Sequence, residues 1–291
     1  MDATIVVHIE EDLLNEHGSR TYLPREQETI RHVSEALNVL RGTFFSRPLN
    51  VAIKHGGSIG FKLLKLRVWS ELSEKWEVLL HPHGEEYDER RGWLEKPCKS
   101  EDVRLGYAAL KASTEVEPTG IVFGDWLITR EGLEAAKSLG IKRDASYVPY
   151  KNGDFFVIKP PFYFESVLEV PVTSNGAHPL NPVGKLFDLK FLASLLKKHK
   201  GEDGLLHIAF HSYDLFNFYK RVNNFQLARE RLRRLRAMLK LLDKYDVEVK
   251  SLSQVHDKYT LRVARFNVPS WTRWIWRAFS LVEKVSLLPL W

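Results

Sequence analysis

Apolar and polar positions alternate along this chain in two rhythms. Ile5–Ile9 is a short, nearly continuous apolar run, the mark of a buried strand, and Ile30, Val33, Leu37 and Leu40 follow at helical spacing. GTFF at Gly42–Phe45 and WEVLL at Trp76–Leu80 read as further strands, with a helix-like stretch at Leu63–Leu72 between them. The polar residues His81–Tyr87 begin where the Trp76 strand stops. Glu101–Leu110 reads as helix, Gly120–Phe123 as strand and Arg130–Leu139 as helix, with Gly140 placed to cap its C-terminus. Ser166–Val172 is strand-like, Leu186–Lys198 helical, and Leu205–Phe210 a strand that ends at His211. Phe225, Ala228, Leu232, Leu235, Leu239 and Leu242 repeat at three and four residues and predict a helix, after which Val247–Val249 closes the set. This alternation predicts an α/β fold with a parallel sheet, and about seven such units suit a barrel better than a small open sheet.

No internal repeat or low-complexity linker divides the chain. The expected organisation is one barrel domain over residues 1–256 and a basic, tryptophan-rich extension over residues 257–291. Of 291 residues, 44% are hydrophobic and 27% charged, a globular balance that argues against disorder. The single cysteine, Cys98, excludes an internal disulfide and a cysteine-based zinc knuckle, so any metal must be held by His, Asp or Glu. It also fits a reducing compartment. No basic leader precedes the first apolar run, and no stretch of 18 apolar residues occurs, so the expectation is a cytoplasmic protein without a spanning helix.

The net charge of +6 is concentrated in two strips, the arginines of Arg229–Arg236 and the segment from Arg262 to Trp291. Such local strips do not predict a nucleic-acid partner. In the second, Arg273, Arg277 and Lys284 share one helical face, while Trp274, Ile275, Ala278, Phe279, Leu281, Val282 and Val285 spread over the other. An amphipathic helix of this kind suits peripheral contact with a membrane, or docking on the barrel or a second subunit.

In a parallel barrel, chemistry gathers at the C-terminal ends of the strands. Here those ends carry Glu10, Glu11 and Asp12; His81, His83, Glu85 and Glu86; Asp125 and Trp126; Thr173, Ser174, Asn175 and His178; and His211 with Asp214. Three acids in a row after a buried strand are costly unless a positive charge compensates them, and a divalent cation would do so. His81-Pro82-His83 and Glu85 supply imidazoles and a carboxylate, a donor set suited to zinc first, and also to iron, cobalt or manganese. His8 shares a strand face with Glu10, but reads more simply as a core histidine. Trp126, Tyr147 and Tyr163 could stack on a sugar face, and His178 could line a substrate groove.

From Thr4 to Val255 the chain resembles the polysaccharide deacetylase family. HIEED at His8–Asp12 sits where the family has T-F-D-D, and GTFF matches its A-T-F-F strand. EVLLHPHGEEYD at Glu77–Asp88 sits at G-H-E-x-x-x-H-(S/T)-x-x-H, and GIVFGDW at Gly120–Trp126 at F-R-x-G. LGIKRDAS at Leu139–Ser146, EVPV at Glu169–Val172 and HIAFHSYD at His207–Asp214 follow in family order, the last at the L-x-H block. The resemblance implies a distorted (β/α)7 barrel that uses a divalent metal to remove an acetyl group from an N-acetylated sugar. Carried over by position, it implies Glu10 as general base and Glu11 as metal ligand, with Asp12 as the alternative for either role. It implies His81 as a ligand, Glu85 by spacing or His83 by chemistry as the next, and His211 as general acid. Asp125, Trp126 and His178 would meet the substrate. The family's Asp pair is Glu-Glu here, its Arg falls near Val122, and its His spacing is altered. The alternative is therefore a barrel that has lost the reaction and binds carbohydrate or serves as a scaffold.

Overall fold

The computed structural model describes residues 1–10, 13–14, 20–21, 26–55, 72, 75–88, 92–149, 156–175, 178–219 and 224–264. One sheet carries the architecture. In chain order its strands are β1 (Asp2–Ile9), β2 (Leu49–His55), β3 (Trp76–Pro82), β4 (Gly120–Ile121) and β5 (Arg143–Asp144). Then come β6 (Phe162–Phe164), β7 (Val167–Glu169), β8 (Leu205–His211) and β9 (Glu248–Lys250). The spatial order is β6-β7-β5-β4-β3-β2-β1-β8, and β9 lies beside the first half of β1. Apart from the antiparallel β6, all pairings in this sheet are parallel.

The sheet curls into a distorted (β/α)7 barrel. Between β7 and β8 the closure is made by the residues after β7 rather than by a ladder: Thr173 N donates to His207 O at 3.0 Å, and His207 N donates to Thr173 Oγ1 at 2.9 Å. Helices cover the outside: α1 (Glu26–Thr43), α2 (Ser100–Thr114), α3 (Arg130–Ser138), α4 (Leu186–Lys198) and α5 (Arg229–Lys244).

Burial on both faces explains why the strands read as continuous apolar runs. Ile5, Val7, Val51, Ile53, Val78 and Leu80 face Val33, Leu37, Val103, Leu110 and Leu235 of the helices. Val6, Ala52, Leu79, Val122, Ala145 and Leu168 face inward and pack with Leu252, Val255 and Tyr259. Residues 257–264 continue this packing: Tyr259 OH donates to Asp2 Oδ2 at 2.6 Å, and Val263 and Ala264 pair with Ile158 and Phe156.

Two local expectations are corrected. Gly42 and Thr43 end α1 and Phe44–Phe45 turn away from it, so GTFF is not a strand; the second barrel strand is Leu49–His55. Phe225 precedes the last helix, in a hairpin of Phe216–Tyr219 with Asn224–Leu227. Most of Leu63–Leu72, and residues 265–291 of the expected amphipathic tail, lie outside the described residues. Among the described residues no helix is long and apolar enough to cross a membrane.

Candidate metal centre

Alternation along β1 turns Val6 and His8 into the barrel, and Glu10 continues that face one step past the strand end. The same rule turns Leu79 and His81 inward on β3, with His83 two residues on. His211, at the end of β8, is level with His8 in the ladder. Four imidazoles and one carboxylate therefore meet at the C-terminal rim. His8, Glu10, His81 and His83 are at most 5% exposed, while the His211 side chain is 27% exposed.

His81 is the hub. Its Nδ1 donates to Val122 O at 2.6 Å, so in the neutral ring Nε2 carries a lone pair. That atom lies 2.6 Å from Glu10 Oε1, 3.3 Å from His8 Nδ1 and 3.2 Å from His83 Nε2. Glu10 Oε1 is also 3.6 Å from His8 Nδ1, and 3.7 Å from both His83 Nε2 and His211 Nε2. Ligating atoms of His8, Glu10 and His81 all fall within 4.8 Å of one another.

This arrangement fits a divalent cation. Lone pairs facing one another in a dry site need a proton or a metal between them. Four ligands at 2.0–2.1 Å from a tetrahedral zinc ion stand roughly 3.3 Å apart, close to the separations of His8 from His81 and Glu10. Electrostatics prepares the same donors. Burial pushes His8 down to about 3, against a smaller upward pull from Glu10. Burial, helped by the charge of Lys54, holds His83 well below the usual histidine range. Burial alone would raise Glu10, but the charge of His211 and the contacts of His8, His81 and His83 outweigh it and hold the carboxyl well below its usual value. The result is two neutral imidazoles and an anionic carboxylate, the states that bind metal.

The surrounding residues shape the rim. Gly124 must lack a side chain, because a Cβ there would stand 2.6 Å from Cγ and Nδ1 of the His83 ring. The next two residues, Asp125 and Trp126, have left-handed φ of 49° and 60°, strained values for residues with side chains. The turn sets the Trp126 ring 4.9 Å from that of His8 and leaves Asp125 exposed. Behind His211, its backbone N donates to Asp214 Oδ2 at 2.8 Å and its Nδ1 is 3.8 Å from the same oxygen.

Of the residues proposed from sequence, the structure brings Glu10, His81, His83 and His211 together, with Trp126 against them. Glu11 and Asp12 lie outside the described residues. Glu85 is in the strand Gly84–Asp88 that follows His83, and its side chain lies outside the description. His178 braces its own loop: its Nε2 is 3.2 Å from both oxygens of buried Asp188, which also accepts from Asn175 and Asn181. Tyr163 is exposed on β6, and Tyr147 packs edge-on against Phe162. Two residues of the centre escaped the sequence reading. His8 carried the right signal, alternation with Glu10. Lys54, fully buried and level with His81, sits on a strand whose polar inner face concealed it.

No family model matches this sequence, and no curated protein matches it. Solved structures share its fold at low identity. A protein from Mycobacterium smegmatis assigned to the polysaccharide deacetylases is 13% identical, with a TM-score of 0.56 over 92% of this chain and 94% of that one. A GH57-type branching enzyme from Pyrococcus horikoshii is 11% identical, with a TM-score of 0.52 over 92% of this chain and 72% of that one. A 4-alpha-glucanotransferase from Thermococcus litoralis is 12% identical at a TM-score of 0.50, over 99% of this chain and 46% of that one. The expected polysaccharide deacetylase fold is thus present, and the same fold is shared with the branching enzyme and the glucanotransferase.

Proposed function

We propose that this protein is a metal-dependent hydrolase that removes an acetyl group from an N-acetylated sugar or glycan precursor. The observation that carries the reading is the convergence of His8, Glu10 and His81 at the rim of the barrel. The donor set supports this chemistry over glycosyl transfer, which uses two carboxylates flanking the scissile bond at about 5–9.5 Å. In this reading His8, Glu10 and His81 hold the cation, with zinc favoured by two imidazoles and a carboxylate. A cation so held would polarise an acyl carbonyl and lower the pKa of water.

The chain's own residues do the rest. Glu10 stays anionic and His8 neutral, so neither needs to shed a proton on loading. The second oxygen of the Glu10 carboxylate takes the proton of the attacking water, and His211, the half-open imidazole already charged beside Glu10 and Asp214, gives its proton to the departing amine, with Asp214 steadying the ring. Burial would raise Asp214, but hydrogen bonding and charge from His211, joined by Asn181, hold it below its usual value, so it remains an anion for that task. Trp126 offers an aromatic wall to the sugar, and Asp125 an exposed carboxylate to its hydroxyls.

A carbohydrate-binding barrel without a reaction is the second reading. One contact favours it: Glu10 Oε1 and His81 Nε2 are 2.6 Å apart, close enough to satisfy each other as an ion pair. Metal analysis of protein purified without chelator separates the two. The hydrolase reading expects near-stoichiometric metal that disappears in a His8→Ala, His81→Ala double variant, together with acetate release from one of a panel of N-acetyl sugars. It also expects His211→Ala to keep the metal and lose about 10²–10⁴-fold in kcat with little change in KM. Absence of metal under every loading condition refutes it.

A further inference from the structure

The peptide whose carbonyl orients His81 has a second partner. The N–H of that same peptide, on Phe123, donates to Ser146 Oγ at 2.7 Å. Ser146 Oγ donates in turn to Asp144 Oδ1, which also accepts from Ser146 N at 2.9 Å. Across the ladder, Glu169 of β7 is in register with Asp144 of β5. Both carboxyls are buried, at 0% and 1% exposure. Among the described residues Asp144 Oδ2 and both oxygens of Glu169 meet no conventional donor.

Two carboxyls in one dry site do not both ionise, because desolvation and mutual repulsion each oppose the second charge. Burial pushes Asp144 up to about 7; burial and the nearby Asp144 charge push Glu169 well above the usual range. The pair is therefore not doubly charged near neutral pH. Asp144 holds the N–H and O–H donors of Ser146, which favour its anion, and Glu169 keeps the proton.

We propose that Asp144, Ser146 and the Val122–Phe123 peptide form a relay that positions His81 and strengthens its Nε2 as a donor, with Glu169 as the buried neighbour across the ladder that seats Asp144. The proposal rests on the reading of His81 as a metal ligand. No proton travels along the relay. An amide whose N–H is engaged by a polarised acceptor has a more negative carbonyl, and hydrogen bonds in such a chain strengthen one another by perhaps 10–30% each. The Val122 carbonyl then draws harder on Nδ1–H, fixing the ring and its tautomer and keeping the Nε2 lone pair directed into the site. Partners of this kind commonly govern 10–100-fold in metal affinity. Asp144 and Ser146 are positioning residues: each acts on the centre only through a peptide bond.

The test uses full-length Ser146→Ala, Asp144→Asn and Glu169→Gln variants. Two quantities are read: Zn(II) affinity by competition with a chromophoric chelator, and the His81 Nδ1–H proton resonance of the metal-free protein, assigned by its loss in His81→Gln. Ser146→Ala and Asp144→Asn are expected to weaken Zn(II) binding about tenfold or more and to move the resonance upfield. Glu169→Gln, whose amide can still donate to Asp144, is expected to keep wild-type values in both. An unmoved resonance in Ser146→Ala overturns the proposal, whatever the affinity does. So does an equal loss of affinity in all three variants, because that pattern reports packing alone. Should Asp144→Asn fail to fold, the contrast of Ser146→Ala with Glu169→Gln decides. Wild-type protein that takes no Zn(II) defeats the metal reading instead, and the resonance then judges the relay by itself.

Discussion

Gly124 faces an imidazole that has no room to retreat. The His83 ring is 4% exposed, packs edge-on against His81 at 4.7 Å and lies against the Gly124 backbone. Gly124→Ala should therefore cost about 1–3 kcal/mol through overpacking, and should loosen metal binding by displacing His83 towards His81. Urea unfolding and metal content measured on the same preparation check both parts. At this scale much of the centre was legible in the sequence. Glu10, His81, His83 and His211 stood out because ionisable groups at the ends of apolar strands are expensive without a purpose. His8 did not, because a histidine inside an apolar run is equally consistent with packing. Its role depends on how close β3 brings His81, which is a tertiary fact.

The element that the sequence concealed is β2. Its outer positions Leu49, Val51 and Ile53 are apolar, but its inner positions are Asn50, Ala52 and Lys54, so neither a continuous apolar run nor a solvated alternation emerges. The inner Asn50 is tolerated because its amide is bonded. Asn50 Nδ2 donates to Thr4 Oγ1 and Ile5 O, both at 2.9 Å, and its Oδ1 accepts from Leu252 N at 2.7 Å. One amide thus ties β2 to β1 and to the segment after β9. Asn50→Ala is expected to lower stability by about 3 kcal/mol, since it strands a buried carbonyl and a buried N–H at about 1–3 kcal/mol each; chemical denaturation reads the loss directly. GTFF misled for the opposite reason. Its two phenylalanines look like strand, yet Phe44 is buried under the end of α1 and Phe45 is 81% exposed.

Across the whole molecule, burial on both faces of the sheet leaves histidines in places where they cannot charge. His207, fully buried on β8 with Nδ1 donating to Val170 O at 3.0 Å, is pushed by burial from an ordinary 6.5 down to about 4. Below pH 6.5 the unfolded chain takes up a proton that the folded one refuses. The contribution of His207 is therefore complete above pH 6.5 and is lost as pH falls towards 4, by about 2 kcal/mol at pH 5. The Asp144–Glu169 pair runs the other way: its raised values favour the folded state at low pH, and that advantage fades as pH rises through about 7. Comparing wild type with His207→Gln isolates the first effect. Between pH 7 and pH 5 the wild type should lose about 2 kcal/mol more than the variant; equal losses would show that His207 charges freely in the folded barrel.

Strand–helix alternation, the apolar strand bodies and the polar residues at their ends are local properties, so the amino-acid order alone determined an α/β barrel with ionisable groups at one rim. Which of those groups touch is a different matter. It depends on the curl of the sheet, which brings residues 8, 10, 81, 83 and 211 to one point, and on a peptide at positions 122–123 shared between His81 and Ser146. Contacts between residues so far apart in the chain come from ladder register and closure, which are set by the packing of every strand at once.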